Sequence, residues 1–210
     1  MLDIHIIDIL QTLFYIEFAT LDSQSVMMGY GYIKLFNYTR RNSGTTDGVA
    51  TPSGSQTANS SDDSCMKYRG IENLYGHLWQ YIDGVNVKDL KAYVAKNPDN
   101  YASDVFDGEY VPIGYTNAPV AGFLSTNNYV VEIGHDPNYP YVNFPISIGK
   151  LSDSLYIDKY QASNGNVITL FGGSLNNTNT FNGISYWAIE QKSSATGDRA
   201  GARLIKKAFE

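Results

Sequence analysis

The stretch GIENLYGHLWQY, residues 70–81, places glycines, a short polar side chain and large apolar side chains within one short segment. It lies in the densest patch of packing residues in the chain, residues 68–87. Glycine lets the backbone approach a neighbour closely or adopt a positive φ, and asparagine hydrogen-bonds nearby backbone in irregular segments. We therefore expect scaffold roles for Asn73 and Gly76, and we expect Trp79 to anchor the core.

Two later segments share this glycine-rich character. Gly172 and Gly173 follow a strand-like run, and Gly201 and Arg203 lie close to the last residues of the sequence. An arginine inside a protein must satisfy five N–H donors. We therefore expect Arg203 to pair with a buried acid or with carbonyl groups, and we expect the three glycines to serve the scaffold.

The composition indicates a single domain over residues 1–210 with few charges. The chain has 15 Lys and Arg against 21 Asp and Glu, a net charge of −6, and 17% charged residues, below the average of about 25%. No stretch forms a basic stripe, and the densest basic cluster lies at residues 199–207. Binding to a nucleic acid is therefore not expected.

The aromatic content favours a binding protein. The chain contains 17 Tyr, 9 Phe and 2 Trp, and tyrosine combined with Ser, Gly and Asn is typical of recognition surfaces. The alternative is that the tyrosines fill β-strands. The single cysteine, Cys65, excludes an intrachain disulfide and a cysteine-based zinc site.

Apolar residues near the start of the sequence recur at intervals of three and four, which predicts a helix over residues 1–28 that packs on the core or on a partner subunit. Charged residues interrupt the segment, so we expect neither a signal peptide nor a membrane-spanning helix. The apolar positions are Ile6, Ile7, Leu10, Leu13, Phe14, Phe18 and Leu21.

The remaining pattern predicts an α+β fold of short antiparallel strands with much irregular loop structure. Residues 40–64 are polar enough to form a surface loop. Strands are expected at residues 110–113, 129–133, 139–144, 155–160 and 167–171, with a closing strand at 201–205.

Residues 70–81 resemble the signature G-x-x-N-x-x-G-N-v-W-E-W of one branch of the C-type lectin-like fold. Residues 172–175 and 201–204 resemble the closing G-G-S-W and G-x-R-L of that branch, which formylglycine-generating enzymes share with the variable proteins of diversity-generating retroelements. The residues 8–24 and 68–73 are similar to phage structural and tail-fibre proteins with this domain. The resemblance implies a C-type lectin-like fold.

Several positions depart from that signature. The sequence has His77 in place of Asn, Gln80 and Tyr81 in place of Glu and Trp, and Leu175 in place of Trp. Formylglycine-generating enzymes use a pair of active-site cysteines, and Cys65 has no second thiol. That activity is rejected, and the absence of the calcium-lectin tripeptides argues against calcium-mediated sugar binding.

Other catalytic motifs are missing from the sequence. There is no nucleophile elbow, no metal-ligand spacing among His5, His77 and His135, and no phosphate-binding loop. We therefore expect no catalytic residue, no metal and no cofactor. A carboxylate pair assembled by the fold is invisible in a sequence, and the candidates for one are Glu72, Asp83, Glu109, Glu132 and Asp136.

The resemblance implies that residues 172–205 contain a variable ligand-binding region before the closing strand. Adenine-directed mutagenesis of Asn codons yields the residue types found there, and exposed aromatics would supply anchors. The alternative is an Asn/Thr-rich surface loop without a ligand. The expected ligand-binding residues are Leu175, Asn176, Asn177, Thr178, Asn179, Thr180, Phe181, Asn182, Ser185, Tyr186 and Trp187.

The resemblance implies a non-enzymatic receptor-binding or adhesion protein of a phage or phage-like element. It is compatible with diversification by a retroelement and also with a fixed sequence. Its expected location is a virion or cell surface. Its expected partners are a bacterial cell-surface protein or glycan, other virion proteins and further copies of itself. A virion structural or decoration protein without its own receptor is the first alternative, and a glycan-degrading enzyme is the second.

Overall fold

The structure is a computed structural model that describes residues 1–29, 44–57, 64–113, 128–137, 139–175 and 181–204. It is a mixed α+β fold dominated by strands, as the sequence predicts. The helices are α1 (Ile4–Phe18) and α2 (Ser23–Val26). The strands are β1 (Gly54–Thr57), β2 (Ser64–Tyr68), β3 (Ile71–Glu72), β4 (Trp79–Lys88), β5 (Lys91–Ala95), β6 (Tyr110–Pro112), β7 (Tyr129–Asp136), β8 (Tyr139–Gly149), β9 (Tyr160–Ala162), β10 (Asn166–Phe171), β11 (Trp187–Gln191) and β12 (Ala200–Gly201).

The main sheet contains seven strands in the order β6-β5-β4-β10-β11-β9, and β12 pairs with the start of β4. β4 is antiparallel to β5 and β10, whereas β12 runs parallel to it. β11 is antiparallel to β10 and parallel to β9. There are two smaller sheets: β1-β2-β3 precedes β4 in the sequence, and the hairpin β7-β8 lies between β6 and β9. Strands from distant parts of the sequence therefore meet at β4 and β10.

Helix α1 begins at an N-cap, because the Asp3 carboxylate accepts a hydrogen bond from the Ile6 N–H at 2.9 Å. It ends at Ala19, whose φ of 51° is left-handed. The prediction of one helix over residues 1–28 is therefore wrong in length, because a second N-cap at Asp22 begins the short α2. The apolar stripe of α1 packs inward, and its buried members are Ile4, Ile7, Leu10 and Phe14.

The core centres on Trp187, which has no exposed surface. Its ring lies 5.1 Å from that of Phe171 and 5.2 Å from that of Phe144, measured between ring centres. Trp79 is only partly buried. The prediction that Trp79 anchors the core is therefore wrong, because its side chain lies on the opposite face of the sheet from this cluster.

Three further predictions need correction. Residues 54–57 form β1 and pair with β2, so the predicted loop at 40–64 contains a strand, while 40–43 and 58–63 lie outside the described residues. The predicted strand at 155–160 begins only at Tyr160, because Ile157 has a φ of 60°. The closing strand is shorter than predicted and ends at Gly201, with residue 205 outside the described part.

Helix length also bears on membrane insertion. Among the described residues, no helix is long and apolar enough to cross a bilayer, and α1 has only 15 residues.

Candidate functional site

The three glycine-rich segments meet in the structure. The Gly76 N–H donates to the Gly172 carbonyl at 3.0 Å, and the Leu175 N–H donates to the His77 carbonyl at 2.9 Å. On the other side, the Arg203 guanidinium donates to the Asn73 carbonyl at 2.8 Å. Residues 70–81 are thus held between the other two segments, and the Arg203 donors reach carbonyl groups, as a partly buried guanidinium requires.

The glycine positions explain how the segments approach so closely. Gly172 has a φ of 88°, and a Cβ there would lie 3.1 Å from the Leu74 carbonyl oxygen and from the Tyr75 Cα. At Gly173 a Cβ would lie 1.9 Å from the Asn182 Oδ1 atom. Side chains at both positions would clash with their neighbours, so the backbone contact depends on glycine.

The aromatic rim expected near residues 175–187 does not form in the described residues. Tyr186 and Trp187 have no exposed surface, because β11 begins at Trp187 between β10 and β9. The expectation that these two rings are exposed is wrong. Also buried are Leu175, Asn182 and Ser185, whereas Asn176, Asn177, Thr178, Asn179 and Thr180 lie outside the described residues.

Hydrogen bonds show what the buried polar members of this segment do. The Tyr186 hydroxyl donates to the Gln161 Oε1 atom at 3.2 Å, and the Ser185 N–H donates to the Asp158 Oδ2 atom at 2.6 Å. The Asn182 amide donates to the Ser174 carbonyl at 3.1 Å. These groups hold the scaffold together in this conformation.

Phe181 is the one predicted aromatic of this segment that is partly exposed among the described residues. The Lys159 ammonium lies 3.6 Å from its ring centre, and the ring of Tyr129 meets it edge-on at 6.3 Å. One face of Phe181 is therefore occupied by a cation of its own chain.

Away from the predicted segment, a cleft of about 360 Å³ lies on the outer face of the main sheet. Tyr81 of β4, Leu170 of β10 and Ala188 of β11 are paired in register across three strands and form its floor. Trp79, two residues before Tyr81 on the same face of β4, also lines the cleft, and so does Glu190, which lies at an irregularity in the pairing of β10 with β11. We call this feature the outer cleft.

Hydrogen bonds and ring packing fix the walls of the outer cleft. The Tyr186 ring meets the Trp79 ring at 4.6 Å with an interplanar angle of 72°, so the predicted ligand residue Tyr186 supports Trp79 from beneath. The Tyr81 hydroxyl donates to the Ala195 carbonyl at 3.1 Å, and the Trp79 N–H donates to the Arg199 carbonyl at 2.8 Å. Residues 195–200 therefore form a wall tied to β4.

Three charged residues line the outer cleft: Glu190 on β11, and Asp198 and Arg199 on the wall. The Glu190 side chain is exposed, but neighbouring residues exclude enough water from its carboxyl to raise the pKa, and a hydrogen bond with Gln191 opposes the shift. Within the described part of the chain, Glu190 forms no ion pair. On the wall, the Arg199 Nε atom lies 3.9 Å from the Asp198 Oδ1 atom.

The carboxylates considered from the sequence lie elsewhere. Burial alone would raise the pKa of Glu72, but hydrogen bonds from Gly44, Thr45 and Thr46 at 2.7–3.0 Å lower it overall. That carboxylate therefore serves to hold a loop. The other four candidates, Asp83, Glu109, Glu132 and Asp136, do not line the outer cleft.

A second depression, of about 660 Å³, lies between α1 and β8. Its lining includes His5, Tyr139 and the 68% exposed Tyr141. It is shallower than the outer cleft, so a small ligand there would keep more of its surface in water. Within the described residues, no group of His, Cys, Asp and Glu side chains is arranged to hold a metal ion.

The sequence contains a partial signal for the outer cleft. Trp79 and Tyr81 alternate with buried residues at the start of β4, and this period of two identifies one face of that strand. β11 shows no such alternation, because its first three residues are all buried, and neither pattern reveals that β10 brings the two strands together. Comparisons with protein-family models, with curated proteins and with solved structures find no match to this chain.

Proposed function

We propose that this protein is a non-enzymatic ligand-binding protein, acting in receptor binding or adhesion for a phage or phage-like element. The proposed ligand is a bacterial cell-surface protein or glycan. The observation that carries the proposal is the outer cleft, in which Trp79 and Tyr81 are partly exposed beside polar side chains. Concave sites with aromatic walls and a few polar groups are typical of ligand binding.

The construction of the outer cleft supports this proposal. Its floor is a three-stranded part of the main sheet, and Tyr186 and the Ala195 carbonyl hold its two aromatic rings. A site on rigid strands loses little conformational entropy when a ligand binds. On sequence grounds, residues 176–180 remain part of the proposed contact surface. Their diversification by a retroelement also remains a proposal.

The glycan-degrading alternative is favoured by one observation. Glu190 and Asp198 both line the outer cleft, and partial desolvation raises the pKa of the exposed Glu190 carboxyl, which is the direction that a general acid requires. Asp198 lies beside Arg199 on the wall. Release of reducing ends from a bound polysaccharide would show that this second function applies.

The decisive experiment blocks the outer cleft without disturbing the core. Gly197 lines it, and a Cβ there meets no atom within 4 Å. The variant Gly197→Phe should therefore fold normally and obstruct the cleft. Ser152→Phe adds the same side chain at an exposed position that does not line the cleft, which makes it a matched control.

Purified wild type and both variants would be tested for binding to a panel of bacterial cells and isolated surface polysaccharides. Selective binding by wild type and Ser152→Phe, lost in Gly197→Phe, is the expected result. Binding retained by Gly197→Phe would remove the outer cleft from the proposal. A wild-type protein that assembles with virion proteins but binds no cell or polysaccharide would favour the virion structural function.

A further inference from the structure

We propose that this protein pairs with a second copy of itself through the outward side of α1. This surface comprises Ile9, Thr12 and Ile16 of α1 together with the neighbouring Tyr141 and Leu155, and we call it the α1 face. None of these residues lines the outer cleft, so the inference is independent of the proposed ligand. Three properties of the described residues support it: exposed apolar side chains, projections that stand beside hollows, and charges that are already paired.

Large apolar side chains are exposed along the length of α1. Ile9 and Ile16 are separated by nearly two full turns, so they project from the same side of the helix. They are 51% and 75% exposed. Tyr141, beside the start of the helix, is 68% exposed, and Leu155, beside its end, is 70% exposed. Single exposed apolar residues are ordinary, whereas a row of them along one element is typical of an interaction surface.

Hollows lie beside two of these projecting side chains. One hollow, of about 210 Å³, lies between α1 and the β7-β8 hairpin, with Ile16 and Tyr156 in its lining. The other, of about 380 Å³, lies between Leu155 and the residues at the end of α1. Tyr15 lines both, so the two hollows are adjacent. A surface with projections next to hollows fits a second copy, because each copy can insert its own side chains into the hollows of the other.

The acidic residues of α1 are already engaged within their own chain. The Asp8 carboxylate accepts hydrogen bonds from the Asn143 backbone N–H at 2.8 Å and from its side-chain amide at 2.6 Å. The Glu17 carboxylate pairs with the Arg69 guanidinium at 3.1 Å. Among the described residues, no charged side chain lines either hollow. Two α1 faces can therefore meet without bringing unpaired like charges together.

The same observations disfavour other occupants of the α1 face. An amphipathic helix that binds a membrane surface carries Lys and Arg beside its apolar side, and α1 contains neither. A strongly charged protein would find no counter-charge in the described lining of the two hollows. Between copies of one protein, an isologous interface uses the same patch on both subunits, and this is the commonest arrangement in soluble oligomers. A second copy is therefore the occupant that the α1 face fits.

Matched substitutions test the inference on the full chain. Leu155→Glu and Ile16→Glu each place a charge on the α1 face, whereas Leu204→Glu places the same charge at a 93% exposed residue outside it. Light scattering and sedimentation equilibrium would measure the molar mass over a range of concentrations. We expect wild type and Leu204→Glu to form dimers, and we expect the two α1-face variants to have dissociation constants at least roughly tenfold higher. Because all three residues are exposed, the variants should keep the wild-type thermal stability.

A wild-type chain that is a monomer at every concentration would overturn the inference. Dimers that survive in both α1-face variants would also overturn it, since association would then use another surface. Dissociation of Leu204→Glu to the same extent would do so as well, because the effect would not be specific to the α1 face. The cell-binding experiment with Gly197→Phe tests a different surface, so a monomeric protein that still binds cells would leave the proposed function in place.

Discussion

The Arg203 guanidinium donates a hydrogen bond of 2.8 Å to the backbone carbonyl of Asn73, a residue 130 positions earlier in the chain. The same Nη2 atom bonds the Glu72 carbonyl, and the Nε atom donates to the Gln80 Oε1 atom at 3.1 Å. Asn73 itself has a left-handed φ of 51°. One side chain therefore fixes an irregular turn of the segment that leads into β4.

We expect Arg203→Lys to lower the free energy of unfolding by about 2–4 kcal/mol, because a lysine ammonium cannot reach three acceptors in a planar arrangement. Urea denaturation would measure the change. Lys192→Ala, at an exposed position, should shift stability by less than about 0.5 kcal/mol. Equal midpoints for wild type and Arg203→Lys would show that the observed bonds contribute little.

A second prediction concerns the glycine pair. Gly172→Ala should destabilise the protein by about 1–3 kcal/mol, because the residue has a positive φ and the new Cβ would press on Leu74 and Tyr75. Gly197→Ala should be close to neutral, since a Cβ there meets no atom within 4 Å. Thermal unfolding of the two variants side by side gives the comparison. A neutral Gly172→Ala would contradict the close contact.

A third prediction concerns pH. Asp158 is fully buried, and that burial raises the pKa of its carboxyl well above the usual value, with a smaller contribution from the charge of Asp22. The folded protein therefore keeps a proton that the unfolded chain releases above about pH 4. Because the folded state then binds more protons, this residue's contribution to stability falls as the pH rises from the unfolded pKa towards the folded one.

Asp158→Asn removes this titration and keeps the shape of the side chain. The variant should gain stability relative to wild type as the pH increases above about 4, by at most about 1.4 kcal/mol per pH unit. Denaturation at a series of pH values would test this. Asp107→Asn, at an exposed site, should follow the wild-type curve. A difference between Asp158→Asn and wild type that does not change with pH would contradict the assignment.

The two tryptophans give a fourth prediction. Trp187 is buried, whereas Trp79 lines the outer cleft and is partly exposed. In Trp79→Phe the remaining fluorescence should lie at shorter wavelength and resist quenching by acrylamide. In Trp187→Phe the remaining emission should be quenched readily. Equal quenching of the two variants would mean that the outer cleft is closed in solution.

The α+β class and the inward stripe of α1 could be predicted because apolar periodicity reports which face of an element is buried. The same periodicity could not distinguish a buried strand from an aromatic rim at Tyr186 and Trp187, because both contain large apolar side chains. The outer cleft could not be predicted at all. Its floor depends on β10 lying between β4 and β11, which is a property of sheet order and not of any single segment.

The pairing around β4 also has a consequence for how fast the protein reaches its native state. The Leu2 N–H donates to the Arg203 carbonyl at 2.7 Å, and the Asp83 N–H donates to the Leu2 carbonyl at 2.9 Å. These contacts join segments far apart in sequence, so the loops between them must close before the contacts can form. A protein with such a high contact order is expected to fold slowly, in the range of milliseconds to seconds, and to complete β4 late.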